Sequence, residues 1–273
     1  MTPAEWLDVC RRAGDAVARV LEALPTRVER EPGVGTGEGG DETTVVDAEA
    51  EGAVLGVLED VAAGGAEFTV VSEELGERTF GHNVAGCHVV VDPIDGSVNA
   101  KRGLPFYALS IAVAEGPTMG DVVAGFVRDY GTGEEWTAIR GEGAFLNGAP
   151  ISLTGPKDEL EMLALEGTTT ELINKHLPVF VGLAERTRVL GSLALSLCHL
   201  AAGRVDAVCS LKPARSVDIA AAQLLLGERG FAIDLPSDRP FGEAKLDLAG
   251  RSQVVAAATP ERCAELWDRL AGR

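Results

Sequence analysis

Apolar residues recur at helical spacing from Trp6 through Val9, Cys10, Ala13, Val17, Val20 and Leu21 to Leu24. The stretch Thr2-Pro3-Ala4-Glu5 precedes them as a capping box with proline in the first turn, so the pattern predicts a helix ending near Pro25. Residues 31–42, rich in Gly and acidic groups, read as a mobile loop. A second helix is predicted over 46–62, and the apolar run Glu67 to Val71 reads as a buried strand that delivers Glu73 and Glu74 to its end. Another apolar strand, Cys87 to Val91, stops at Asp92. From 107 to 152 the pattern becomes strands near 107–114, 121–128, 134–140 and 143–153, parted by Gly116-Pro117, Gly131-Thr132-Gly133, Gly141-Glu142-Gly143 and Asn147-Gly148, which predicts an antiparallel meander. Beyond 155 the elements alternate: strand 161–166, helix 168–184, strand 187–190, helix 192–202, strand 205–210, helix 216–229, strands 231–234 and 252–257, and a last helix from Thr259-Pro260. The expectation is an N-terminal α+β half, 1–154, joined to a C-terminal α/β half, 155–273.

Composition narrows what such a chain does. The 273 residues are 46% hydrophobic, enough for an ample core. The formal charge of −18 argues against non-specific binding to nucleic acid or anionic membrane. It also repels phosphate substrates unless a bound cation inverts the local field, and it is compatible with a saline cytoplasm. No uncharged apolar run reaches the ~20 residues of a membrane span. The five cysteines are odd in number and form no C-x-x-C pair, which fits reduced buried thiols in a cytoplasmic protein. His82, His88, His176 and His199 show no ligand spacing, and Trp6, Trp136 and Trp267 read as core or interface residues.

The candidate chemistry lies in Asp92-Pro93-Ile94-Asp95-Gly96-Ser97-Val98-Asn99. Two carboxylates flank a proline directly after an apolar strand. A tight turn there aims both, with the Ile94 carbonyl, at one spot, and hard oxygen donors suit Mg²⁺. Gly96 and Ser97 follow where backbone N–H groups cradle phosphate. An Asx-turn with a helix cap accounts for the same residues without a ligand. Helix capping likewise explains Asp41, Thr44 and Asp47, and the helix macrodipole explains Asp218 in Ser216-Val217-Asp218-Ile219-Ala220-Ala221.

Taken in order, D-x-x-T-x-x-D, S-E-E, D-P-I-D-G-S-x-N, G-S-x-A-L and V-D-I-A-A, over about residues 1–270, resemble the inositol monophosphatase superfamily. The resemblance implies a layered αβαβα sandwich with an antiparallel N-terminal sheet and a mixed C-terminal one, a homodimer, and metal-assisted hydrolysis of a small phosphorylated sugar or cyclitol with two or three Mg²⁺ per site. It implies Glu73, Asp92 and the Ile94 carbonyl on one ion and Asp92, Asp95 and Asp218 on a second, with Glu73 also near a weakly held third. It further implies that Asp47, bonded to the Ser97 hydroxyl, positions the attacking water with Glu73, and that Gly96 and Ser97 bind phosphate.

Departures from the family pattern bear on the substrate. Ser97 replaces the usual Thr, and Glu38-Gly39-Gly40-Asp41 lacks the basic residue often found there. Val217 precedes Asp218, and no acid lies between Asp206 and Asp218. Instead the chain carries Lys212 and Arg215, and Arg188 to Leu195 resembles the archaeal-type members that act as both fructose-1,6-bisphosphatase and inositol monophosphatase. Arg188, Gly191, Ser192, Lys212 and Arg215 are therefore expected on the substrate side, where two cations favour a bisphosphate. Alternatives are a 3′(2′),5′-bisphosphate nucleotidase and a non-catalytic regulator that binds metal or phosphate on the same fold.

Overall fold

A computed structural model describes residues 1–40, 42–83, 86–151, 159–167, 169–237 and 240–272. Helix α1, Pro3–Ala23, starts at the expected capping box: the Thr2 hydroxyl accepts from the Glu5 amide, and the Glu5 carboxylate accepts from the Thr2 amide. A short helix α2, Arg27–Arg30, precedes the hairpin of β1, Gly33–Thr36, and β2, Glu42–Thr44. Within the expected 31–42 loop, Gly33–Thr36 thus pair through backbone with Glu42–Thr44, which apolar patterning could not reveal because all four β1 residues are exposed. Asp41 lies outside the described residues. Helix α3, Val45–Ala63, leads to β3, Phe68–Ser72, and β4, Gly76–Phe80. The sequence pattern misses β4 because its middle, Glu77-Arg78-Thr79, is polar and exposed at a sheet edge.

Strand β5, His88–Asp95, runs through the acidic motif into α4, Ser97–Arg102. Strands β6, Ala108–Ala114, β7, Val122–Asp129, β8, Glu135–Ile139, β9, Gly143–Leu146, and β10, Ala149–Pro150, complete an eight-stranded sheet of order β10-β9-β8-β7-β6-β5-β3-β4. Asn147-Gly148 takes the tight turn between β9 and β10, and residues 152 and 153 of the predicted strand lie outside the described residues. The meander is antiparallel as expected. The sheet as a whole is mixed, because β4 folds back along one side of β3 and β5 enters on the other side, parallel to β3.

The second sheet has order β12-β11-β13-β15-β14 and is mixed, with β11, Leu160–Glu166, parallel to both β12, Ala184–Arg188, and β13, Ala207–Ser210. Its remaining strands are β14, Ala232–Asp234, and β15, Val255–Ala257. Its helices are α5, Thr170–His176, α6, Leu193–Ala201, α7, Ser216–Glu228, and α8, Pro260–Leu270. Helix α5 is shorter than the predicted 168–184: it passes into a 3-10 turn at Leu177–Phe180, where Pro178 cannot continue the α-helical ladder.

Side-chain alternation sorts these elements into layers. Val70, Val89, Val91 and Leu109 face α1 and α3, whereas Val71, Val90 and Ala112 face the apolar α6 and α7. The same two helices pack on Ala164, Val208 and Ala256 of the second sheet. The opposite face of that sheet, with Leu163, Leu165, Cys209 and Val255, is covered by α8 through Cys263 and Leu266 and by Leu172 and Ile173 of α5. The result is the αβαβα order, with α6 and α7 buried between two sheets. That position explains why α7 is apolar all round apart from Ser216 and Asp218 in its first turn, Gln223 and the terminal Glu228.

Candidate active site

Parallel pairing of β3 and β5 sets Ser72 beside Val91, so Glu73 and Asp92, one residue further on, lie side by side just past the last pair. An antiparallel pair would have sent them to opposite edges. Helix α7 supplies Asp218, which caps its own helix by accepting from the Arg215 amide at 2.8 Å. One oxygen from each of Glu73, Asp92 and Asp218 lies within 4.8 Å of the other two. Three carboxylates from three segments at that separation form a hard-oxygen donor set suited to a divalent cation.

The motif turns through a bulge. Asp92 pairs with Ser110 and Asp95 with Ala108, so β5 carries one extra residue there. The Ile94 amide donates to Asp92 Oδ1 at 3.0 Å, and the Ser97 hydroxyl donates to the Ile94 carbonyl at 3.0 Å. Gly96 sits at φ 95°, ψ 36°, and a Cβ on it would stand 2.8 Å from the Phe106 carbonyl oxygen. Glycine is required twice over, by backbone conformation and by space. Asp95 reaches across to the C-terminal half, where its Oδ2 accepts from Ser192 Oγ at 2.5 Å and from the Ala194 amide at 2.7 Å.

Electrostatics agree with a cation site. Burial, followed by the charges of Glu73, Asp95 and Asp218, holds the Asp92 carboxyl well above the usual carboxylate range. Burial and the Asp218 charge push Asp95 up to about 7, against the bonds from Ser192 and Ala194, and burial also raises Asp218. Like charges gathered away from water are costly, and a divalent cation among them reverses the sign of the effect.

Two expectations are corrected here. Asp47 does not meet the Ser97 hydroxyl. Its Oδ2 accepts from the Thr44 amide at 3.0 Å and the Thr44 hydroxyl at 2.5 Å, closing the cap of α3, while its buried Oδ1 has no partner among the described residues. Capping satisfies one oxygen of Asp47 and leaves the other to be explained. Arg215 is not a substrate-facing cation either. It is 7% exposed, donates to Glu73 Oε1 at 2.5 Å and donates to the Gly39 carbonyl at 2.9 Å. A guanidinium withdrawn from water needs such paired acceptors. Arg251 donates to the same Gly39 carbonyl at 2.7 Å, while the Gly39 amide donates to the Glu73 carbonyl at 2.8 Å. Two arginines from the C-terminal half therefore hold the turn where the sequence offers no base of its own.

The remaining substrate-side candidates are dispersed. Arg188 is exposed at the end of β12 and donates to the Thr187 carbonyl. Gly191, at φ +81°, and Ser192 form the turn against Asp95. Lys212 is exposed on the rim of a cavity of about 440 Å³ shared with Lys175, His176 and Trp267. Sequence reasoning missed Glu166, Arg251 and Glu51. Glu51 accepts from the Ser72 hydroxyl and the Leu75 amide, under the strand end that carries Glu73. Glu166 had a readable signal, since it is an acid closing an apolar strand, as Asp92 is.

The profile of the inositol monophosphatase family matches residues 5–271. A fructose-1,6-bisphosphatase/inositol-1-monophosphatase of Methanothermobacter thermautotrophicus is 34% identical over 97% of this chain and 96% of its own. A fructose-1,6-bisphosphatase of Pyrococcus furiosus is 36% identical over 81% of each chain. The crystal structure of an inositol monophosphatase–fructose 1,6-bisphosphatase superposes with a TM-score of 0.80 at 27% identity, covering 97% of this chain and 99% of that one. With the strand order, the acidic corner and these likenesses in agreement, the chain belongs to the inositol monophosphatase family.

Proposed function

We propose that the chain is a Mg²⁺-dependent phosphatase of small phosphate monoesters, acting on fructose 1,6-bisphosphate, inositol monophosphate or both. The observation that carries this reading is the convergence of Glu73, Asp92 and Asp218 within 4.8 Å, in a protein whose net charge would otherwise repel phosphate. Glu73, Asp92, the Ile94 carbonyl, Asp95 and Asp218 would hold the two or three Mg²⁺ ions. Bound there, the ions supply an acidified water and neutralise the charge that develops on the transferring phosphoryl and the leaving oxygen.

The chain's own groups do the rest. Asp47, through its unpartnered Oδ1, and Glu73 orient the attacking water together with the Ser97 hydroxyl, which turns from the Ile94 carbonyl to do so. The carbonyl has a second lone pair and so serves hydroxyl or cation. Gly96 and Ser97 receive the phosphate oxygens. Arg215 keeps Glu73 in place and offsets one negative charge of the cluster. Gly191 and Ser192 border the alcohol side, and of the cations expected there Arg188 and Lys212 remain exposed for a second phosphate. The free thiols fit a reducing compartment such as the cytoplasm.

Phosphate release from a panel of fructose 1,6-bisphosphate, inositol 1-phosphate and a 3′,5′-bisphosphate nucleotide tests the assignment. Turnover of the first two above the third is expected. Preference for the nucleotide would replace this reading with the nucleotidase.

A further inference from the structure

Glu166 ends β11 with 2% of its surface exposed, and its carboxylate takes three donors. The Leu190 amide donates to Oε1 at 3.0 Å, the Gly191 amide to Oε2 at 2.9 Å, and the Ser196 hydroxyl to Oε1 at 2.6 Å. A buried carboxylate is tolerated where its lone pairs are filled in this way. Two of the three donors belong to the backbone of one turn, 189–192, between β12 and α6. The other side of that turn rests on the acidic corner. Asn99, in α4, donates to the Leu190 carbonyl at 2.7 Å, and Ser192 and Ala194 hold Asp95. A Cβ on Gly191 would stand 2.7 Å from Asn99 Nδ2, and one on Gly96 would stand 3.1 Å from the Gly191 carbonyl, so the two turns touch through backbone.

From this arrangement we infer that Glu166 is a positioning residue for the metal centre: its two backbone bonds fix the 189–192 turn, and the turn fixes the Asp95 carboxylate through Ser192 and Ala194. Glu166 touches neither phosphate nor cation. It sets, from the second sheet, the geometry of a ligand carried by the first. Both bonds to Asp95 fall on Oδ2, so they orient the carboxylate about one oxygen and hold its charge in place. The inference rests on the metal-site reading proposed above for Asp95.

Glu166→Gln keeps the size of the side chain but replaces one acceptor oxygen by an NH₂ that cannot accept from a backbone amide. The expected result is faster amide exchange at 190–194 and a Mg²⁺ affinity, by calorimetry, lowered roughly tenfold, the scale of one lost charged hydrogen bond. Ser192→Ala cuts the same path nearer its end, so the double variant is expected to bind Mg²⁺ no worse than the weaker single variant. Ser196→Ala removes a donor to Glu166 but leaves both tethers, and is expected to stay within about twofold of wild type. Wild-type Mg²⁺ affinity in Glu166→Gln, or additive losses in the double variant, would overturn the inference. Should Glu166→Gln not fold, Glu166→Asp carries the same comparison, since its shorter arm cannot span both amides. Neither calorimetry nor exchange needs a substrate. A wild-type chain that binds Mg²⁺ but releases no phosphate would refute the proposed function and leave the tether standing.

Discussion

The two ends of the site are built differently. The proposed metal end is made where the parallel β3–β5 pairing stops: Glu73 and Asp92 stand one residue past it, and Asp218 in the first turn of a buried helix. Register and packing over the whole core fix their positions. The alcohol end, as proposed, is made of the turns 189–192 and 211–215 and the strand end before the first, and the basic side chains there go their own ways: Arg215 inward to Glu73, Lys212 to a cavity rim, Arg188 at the end of β12 to solvent. Chemistry shared by a family needs the first kind of construction, whereas substrate choice is set by the second, which changes with single residues.

The comparison breaks most sharply at Asp92. Asp92→Asn retains the acceptor for the Ile94 amide but removes the central charge. Phosphate release is expected to fall by roughly 10³-fold or more, the scale of losing a charge that stabilises the transition state. The metal-free variant is expected to melt higher than wild type by differential scanning fluorimetry, because a buried repulsion is gone. A variant that keeps its activity would remove Asp92 from the metal end.

Next in size is the pH dependence of stability. Asp92, Asp95 and Glu166 titrate above their ordinary values when folded, chiefly through burial. A raised carboxyl contributes stability that is fully present below its unfolded value, about 4, and lost as pH rises through the folded value. For Asp95 and Glu166 that loss runs from about pH 4 and is complete somewhat above pH 7. Metal-free protein is therefore expected to melt higher at pH 5.5 than at pH 8, by an amount on the order of a few kcal/mol in stability. Saturating Mg²⁺ is expected to reverse the trend, since it binds the ionised form. A metal-free melting temperature that rises with pH would show that the corner is not a strained acid cluster.

Arg215 sharpens the division between the two ends. Arg215→Lys keeps the charge but loses the planar fork that serves Glu73 and Gly39 together. Activity is expected to fall roughly tenfold on mono- and bisphosphates alike, with faster amide exchange in the β1–β2 hairpin. A loss confined to the bisphosphate would move Arg215 to the alcohol end. The smallest effect is expected at Lys212→Ala, which should raise KM for fructose 1,6-bisphosphate by a factor of about three, as for an exposed charge, and leave inositol 1-phosphate unchanged.

What could be read from the chain divides along the same line. The helix at Pro3, the buried strands before Glu73 and Asp92, and the acids themselves were legible because each couples a local signal to an apolar run. The layered architecture followed from the family resemblance, which also pointed to the acids proposed as metal ligands. What the pattern could not carry were contacts set by the assembled fold. Nothing in Lys212-Pro213-Ala214-Arg215 tells that one cation is buried against Glu73, 142 residues away, while the other is exposed. The edge strand β4 and the hairpin at 33–44 were missed because backbone pairing between polar residues leaves no periodicity in hydrophobicity.

The central claim is that the acidic corner works only as a cation site. It is tested most directly by measuring phosphate release from fructose 1,6-bisphosphate and inositol 1-phosphate while Mg²⁺ is titrated into metal-free protein. The account predicts no turnover without the ion, saturable turnover with it, and in Asp92→Asn a loss of roughly 10³-fold or more that no Mg²⁺ concentration restores. Equal turnover in the presence of a chelator, or full activity in that variant, would contradict it.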